Sequence, residues 1–247
     1  GSKAFYDGDI TKKILNDFKE NQGIFIKEDF LNYEIRKFEP LCGSYKSYEI
    51  CSMPPPSSGG VAIIQMLNIL ENFEVKNFSH SSIEYIYLLK NIMGFAYADR
   101  SVFLGDPDYF NVPVDALVSK DYAKKIAEKI KNKETTKIQP GMLMKESDET
   151  THFSIIDKWG NAVSNTYTLN GAYGSGIVAK GTGILMNNEM DDFSQKPGYP
   201  NLYGLIGSEA NKIEPKKSPL SSMSPVIVSK DNMPYLITGS PGGSTII

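Results

Sequence analysis

Thr151-His-Phe-Ser-Ile-Ile-Asp157 and Asn161-Ala-Val-Ser-Asn-Thr-Tyr-Thr168 decide the fold. Both runs are rich in β-branched and aromatic residues, and Lys158-Trp-Gly160 between them has turn chemistry, so together they predict an antiparallel hairpin. Upstream the pattern is helical. Residues 11–22, 61–72 and 120–131 predict helices, and so does the run after Ser81, where Tyr85, Leu88, Leu89, Ile92 and Ala96 keep helical spacing. Gly23 is the expected stop of the first helix. Ser81 and Glu84, three apart, form a capping-box pattern. In the last of these helices Tyr122, Ile126 and Ile130 share one face. Residues 33–52 read as extended, and Met53-Pro-Pro-Pro-Ser-Ser-Gly-Gly60 as a rigid connection that cannot be helix. Residues 133–149 are polar without a period, a linker long by loop standards. Residues 225–229 and 235–238 predict a second hairpin across Asp231-Asn232. Helices first and paired strands later give an α+β fold.

Charge and composition exclude several functions. With 26 Lys and Arg against 29 Asp and Glu, the 247 residues carry a net charge of −3. A dedicated nucleic-acid binder would be basic. The most apolar stretch, residues 61–70, contains Gln65 and Asn68 and is too short to span a membrane. No signal peptide is visible. The two cysteines and two histidines lack zinc-ligand spacing, so neither a metal nor a cofactor is expected. A two-residue turn at Lys46-Ser47 would set Cys42 opposite Cys51 on a hairpin. Such a pair can form a cross-strand disulfide, which implies an oxidising compartment, or remain two small apolar thiols.

The chemistry-bearing residues do not form a Ser-His-Asp triad. No Gly-x-Ser-x-Gly elbow is present, His152 falls in a strand, and His80 falls in a loop. Gly239-Ser-Pro-Gly-Gly-Ser244 lacks the lysine of a phosphate loop. It reads as a tight turn, or as a pair of backbone N–H groups aimed at an oxyanion. Asn187-Asn-Glu-Met-Asp-Asp192 is a solvated turn or an ammonium site. Ser221 and Ser222 are loop polarity or hydroxyls placed for a carboxylate.

The order of these motifs carries a resemblance. Thr150-Thr-His-Phe-Ser154, Asn187-Asn-Glu-Met-Asp-Asp-Phe-Ser194, Pro219-Leu-Ser-Ser-Met-Ser-Pro225 and Gly239-Ser-Pro-Gly-Gly-Ser244 resemble the small subunit of the γ-glutamyltransferases. Met53-Pro-Pro-Pro-Ser-Ser-Gly-Gly60, Ala98-Asp-Arg-Ser101 and Leu104-Gly-Asp-Pro-Asp108 resemble the end of that family's large subunit. The resemblance covers essentially the whole chain, which looks like the middle of a longer precursor.

The resemblance implies an N-terminal-nucleophile hydrolase, part of a four-layer αββα sandwich. It implies self-cleavage between Glu149 and Thr150, giving a mostly helical large-subunit part (1–149) and a β-rich small-subunit part (150–247) that stay together as a heterodimer. The freed α-amine of Thr150 would act as base for the threonine's own hydroxyl, which explains the lack of a histidine base. Thr168 would assist Thr150, and Gly242 and Gly243 would hold the oxyanion. Asn170, Glu189 and Asp192 would hold the donor's α-ammonium, and Ser221 and Ser222 its α-carboxylate. Residues 197–208, with Tyr203, resemble a lid loop.

The implied reaction is γ-glutamyl transfer from, and hydrolysis of, glutathione and other γ-glutamyl compounds, with amino acids or dipeptides as acceptors, in the periplasm or outside the cell. A cephalosporin acylase, a polyglutamate capsule transferase, or an unprocessed inactive fragment are the alternatives. Two departures stand out. The arginine that holds the α-carboxylate in the family comes from upstream of Gly1. Thr245 stands where members usually carry Arg.

Overall fold

A computed structural model describes residues 1–133 and 150–247. In chain order its helices are α1 (Ser2–Tyr6), α2 (Asp9–Glu20), α3 (Lys27–Leu31), α4 (Gly59–Leu70), α5 (Ile83–Phe103), α6 (Val114–Leu117) and α7 (Lys120–Lys131). Its strands are β1 (Leu41–Tyr45), β2 (Tyr48–Ser52), β3 (Thr151–Ile156), β4 (Ala162–Tyr167), β5 (Val178–Ala179), β6 (Ile184–Leu185), β7 (Val226–Lys230) and β8 (Met233–Thr238). The expected linker lies outside the described residues, apart from Lys133 at its start. Two units divide the rest: residues 1–38 with 169–188, and residues 39–168 with 189–247.

The first unit is α1 to α3 with the two-stranded β5–β6 ribbon. Ile14 of α2 and Ala179 of β5 are fully buried. Asp17 accepts a hydrogen bond from the Lys180 N–H (2.9 Å), and the Lys13 ammonium donates to the Gly181 carbonyl (3.0 Å). The helix stop differs from the sequence expectation. α2 ends at Glu20, and the left-handed residue is Gln22 (φ 61°) rather than Gly23. Gly23 is needed for space instead, since a Cβ there would meet the Phe18 ring at 2.5 Å.

The second unit holds its helices by an apolar core. Ile69 from α4, Leu88 and Ile92 from α5, and Ala123, Ile126 and Ile130 from α7 bury one another. α7 matches its expected range, and Ser119 caps it by accepting from the Tyr122 N–H (3.1 Å). Two expectations need correction. The cap of α5 is Ser82, which accepts from the Tyr85 N–H, while Ser81 adopts φ 61° before it. Gly59 and Gly60, read as part of a non-helical connection, are the first two residues of α4. A helix start tolerates them because its first N–H groups need no intrahelical partner.

The strands pair across long stretches of sequence. β1 and β2 form the hairpin turned at Lys46-Ser47, with Cys42 opposite Cys51 and a disulfide between them. Residues 33–40, expected to be extended strand, contain no strand. β7 and β8 turn at Asp231-Asn232, both at positive φ (51° and 60°) as a two-residue hairpin of this kind requires. β2 then pairs antiparallel with β7, giving one sheet in the order β1-β2-β7-β8. β3 and β4 pair separately, in register from Thr151–Tyr167 to Ile156–Ala162. Ser164 bolts this hairpin to the sheet: its hydroxyl donates to the Thr238 carbonyl (2.9 Å) and accepts from the Val226 N–H (3.1 Å). No described helix is long and apolar enough to cross a membrane.

Candidate active site

The register of β3 with β4 places Thr150 and Thr168 opposite each other, one step beyond the last paired residues. The Thr150 hydroxyl donates to the Thr168 hydroxyl (3.2 Å). Thr150 has φ 103°, a conformation that strains a β-branched residue. Glu149 lies outside the described residues. Two positions along β3, the His152 ring is fixed by Thr166 (2.8 Å) and Ser154 (3.0 Å), and among the described residues no carboxylate bonds to it. That ring lies against Gly239, where a Cβ would sit 2.2 Å from its Cε1 atom. The glycine-rich loop therefore starts beside the strand that carries Thr151. Gly242 (φ 132°) and Gly243 (φ 55°) take backbone shapes that favour glycine. Neither N–H has an acceptor among the described residues.

The serine pair sits in a mould made by residues 54–60. The Ser221 N–H donates to the Pro56 carbonyl (2.9 Å), and the Ser221 carbonyl accepts from both the N–H and the hydroxyl of Ser58 (2.8 Å each). Ser57 donates to the Met223 carbonyl (2.7 Å). Gly59 has no room for a side chain, because a Cβ would lie 2.2 Å from the Ser224 hydroxyl. Both serine hydroxyls act as acceptors: Ser221 from the Met223 N–H (3.0 Å) and Ser222 from the Arg100 guanidinium (3.1 Å). A serine hydroxyl has one proton besides its lone pairs. Among the described residues neither proton has an acceptor, so both are free to donate to an anion. The sequence reading assigned Arg100 no role. The available signal was its place at the end of the buried stripe Leu88, Ile92, Ala96 on α5, where a charge needs partners.

Glu189 and Asp192 lie in the single helical turn Glu189–Asp192. Burial, then the Asp192 charge and a hydrogen bond to it, push the Glu189 carboxyl up to about 8. Burial pushes Asp192 up to about 6, although the Arg100 charge and the Glu189 hydrogen bond draw it down. Two carboxyls that resist ionising together form a site hungry for a cation. Asp191 is used otherwise, accepting from the Leu202 N–H (3.0 Å) and pinning residues 197–208 to the turn. In that segment Gly198 pairs with Gly207 and Asn201 with Leu205, and Tyr203 is buried. Asn170 belongs to the first unit, where it is buried at φ 70° and donates to the Asn188 carbonyl (3.2 Å). Cys42, Glu49 and Cys51 come within 4.8 Å of one another, but the disulfide leaves no thiolate for a metal. An apolar cavity of about 430 Å³ lined by Phe73, Phe78, Ile83, Tyr87, Leu88 and Ile130 contains none of these residues.

The family model described as Gamma-glutamyltranspeptidase matches residues 1–247. The chain belongs to the γ-glutamyltranspeptidase family. It is 52% identical over 251 residues to the glutathione hydrolase proenzyme of Escherichia coli strain K12, covering all of this chain and 43% of that protein. The chain thus spans under half the length of such family members. Among solved structures, the cephalosporin acylase of Bacillus halodurans matches 98% of this chain and 41% of its own, with a TM-score of 0.77 and 26% identity. The Helicobacter pylori γ-glutamyltranspeptidase matches 57% of this chain and 42% of its own, with a TM-score of 0.54 and 44% identity. These matches give the chain the mixed α+β fold of the γ-glutamyltranspeptidases and cephalosporin acylases.

Proposed function

We propose that the parent protein is a self-cleaving γ-glutamyltransferase and glutathione hydrolase. The observation that carries this reading is the Thr150–Thr168 hydroxyl pair at the end of the β3–β4 hairpin. Cleavage of the 149–150 bond frees the α-amine of Thr150, which titrates near pKa ~7.7–8.0. That amine takes the proton of Oγ1 as Oγ1 attacks the γ-carbonyl carbon of the donor, and the carbonyl electrons move onto oxygen. The free N–H groups of Gly242 and Gly243 support an oxyanion hole for that charge. The carbonyl re-forms, the C–N bond breaks, and the leaving amine takes the proton, leaving a γ-glutamyl ester on Thr150. Water or an amino-acid amine then attacks the ester and restores the threonine.

The serine protons suit the α-carboxylate, and the Glu189–Asp192 pair suits the α-ammonium. Residues 197–208 and Tyr203 act as a lid. Residues 1–149 and 150–247 lie on the two subunits of a heterodimer within a four-layer αββα sandwich. The Cys42–Cys51 disulfide supports residence in the periplasm or outside the cell.

The test uses the full-length precursor. Mass spectrometry under denaturing conditions is expected to find two chains, the second starting at Thr150, and Thr150→Ala to remain uncut and fail to turn over a γ-glutamyl anilide. Ordinary turnover by that variant refutes the nucleophile. The acylase match supports a second reading, and faster turnover of a glutaryl β-lactam than of the anilide decides for it.

A further inference from the structure

Arg100 is the most deeply placed cation near the proposed substrate pocket. Only 6% of it is exposed, and burial lowers its affinity for its proton while Tyr97 and Asp192 oppose that shift. A guanidinium in such a place needs partners for a fixed fork of donors. Its Nε donates to the Ser58 hydroxyl (3.0 Å), and an Nη donates to the Ser222 hydroxyl (3.1 Å). Ser58 in turn donates a hydrogen bond to the Ser221 carbonyl (2.8 Å). One side chain on α5 thus reaches both members of the serine pair, one directly and one through Ser58. Arg100 also lines a small polar cleft with Asp192, Ser194, Asn201 and Asn211.

We propose that Arg100 is a positioning residue for donor binding. Its fork holds the Ser222 hydroxyl as an acceptor, so that the hydroxyl proton is directed at the donor's α-carboxylate, and its charge faces Asp192 across the cleft. Arg100 is too buried to be the carboxylate ligand itself; it acts through Ser222 and Ser58. The geometry explains why an arginine, rather than a lysine, suits this position. A lysine ammonium is a point charge and cannot reproduce two bonds at the fork's spacing. This inference rests on the reading of Ser222 and Asp192 as donor-binding residues.

The experiment uses the full-length proenzyme and its Arg100→Gln, Arg100→Lys and Ser222→Ala variants, with a γ-glutamyl anilide as donor. Arg100→Gln is expected to mature and to raise the donor KM about ten- to hundredfold with a much smaller change in kcat, as for a bond present in ground and transition states alike. The groups facing Asp192 are Glu189 and Asp191 of its own turn and Arg100 of α5, with Tyr97 beside Arg100. Loss of the Arg100 charge is therefore expected to move the acid limb of kcat/KM to higher pH. Arg100→Lys should restore the acid limb but not the KM, and its KM effect should shrink in a Ser222→Ala background to the part carried through Ser58. A merely structural arginine would lower yield and Tm without moving the acid limb. Wild-type KM and an unshifted acid limb in Arg100→Gln overturn the inference. Should Arg100→Gln fail to mature, Arg100→Lys decides alone, and a wild-type KM in that variant overturns it. Failure of the wild-type enzyme to turn over the anilide instead overturns the proposed function.

Discussion

Glu189 and Asp192 set a pH dependence whose sign can be worked out. The pair is held at about 8 and about 6, chiefly by burial. A donor ammonium needs ionised carboxyls, so the donor KM is expected to fall as pH rises from about 6 to about 8. The α-amine proposed for Thr150 after cleavage would titrate close by, so KM rather than kcat is the quantity to follow. Stability runs the other way. In the empty protein the folded state keeps protons that the unfolded chain has released, so the pair's contribution is lost as pH rises from about 4, where the unfolded carboxyls ionise, to about 8, where the folded pair has done so. A donor KM that stays flat over this range removes the pair from the ammonium site. Gly239 makes a second residue-scale prediction. Its Cβ would overlap a His152 ring that Thr166 and Ser154 hold in place. Gly239→Ala is expected to cost about 1–3 kcal/mol in thermal unfolding. That penalty should disappear in a His152→Ala background; if it persists, the contact is not its source.

Helices α4, α5 and α7 are held by buried aliphatic side chains, not by the surface lysines of α7. Ile126 is 2% exposed and touches this core, whereas Lys125 beside it is exposed. Ile126→Ala is expected to lower unfolding stability by about 2–5 kcal/mol through the cavity it leaves. Lys125→Ala should stay within about 0.5 kcal/mol. Equal effects in chemical denaturation would contradict the assigned core. At this scale the sequence was largely legible. Helical spacing of Tyr122, Ile126 and Ile130 is a local property, and so is turn chemistry at Asp231-Asn232. The failures were also local in kind. Two serines in succession let Ser82, not Ser81, take the cap, and Gly59-Gly60 looked like a break because helix starts accept residues that helix interiors reject.

The sheet β1-β2-β7-β8 draws strands from both sides of the 149–150 bond, joined by the β2–β7 ladder. The mould formed by residues 54–60 does the same for the serine loop. If that bond is cut, the two pieces are expected to elute as one species in gel filtration at neutral pH and to separate only in denaturant. Free dissociation in native buffer would show that these ladders do not hold the subunits. The sequence by itself determined the helices with strong apolar periods, the two hairpins at Lys158-Trp159-Gly160 and Asp231-Asn232, and, through the order of its motifs, the family, while it left the Lys46-Ser47 turn open. Each depends on neighbours within a few residues or on identity matched position by position. Only the tertiary structure decided that β2 pairs with β7, that Ser164 bolts one hairpin to another, and that Arg100 reaches Ser222 from 122 positions away. Hydrogen-bond direction and burial belong to the packed chain, and no local spacing encodes which distant hydroxyl a buried guanidinium will meet.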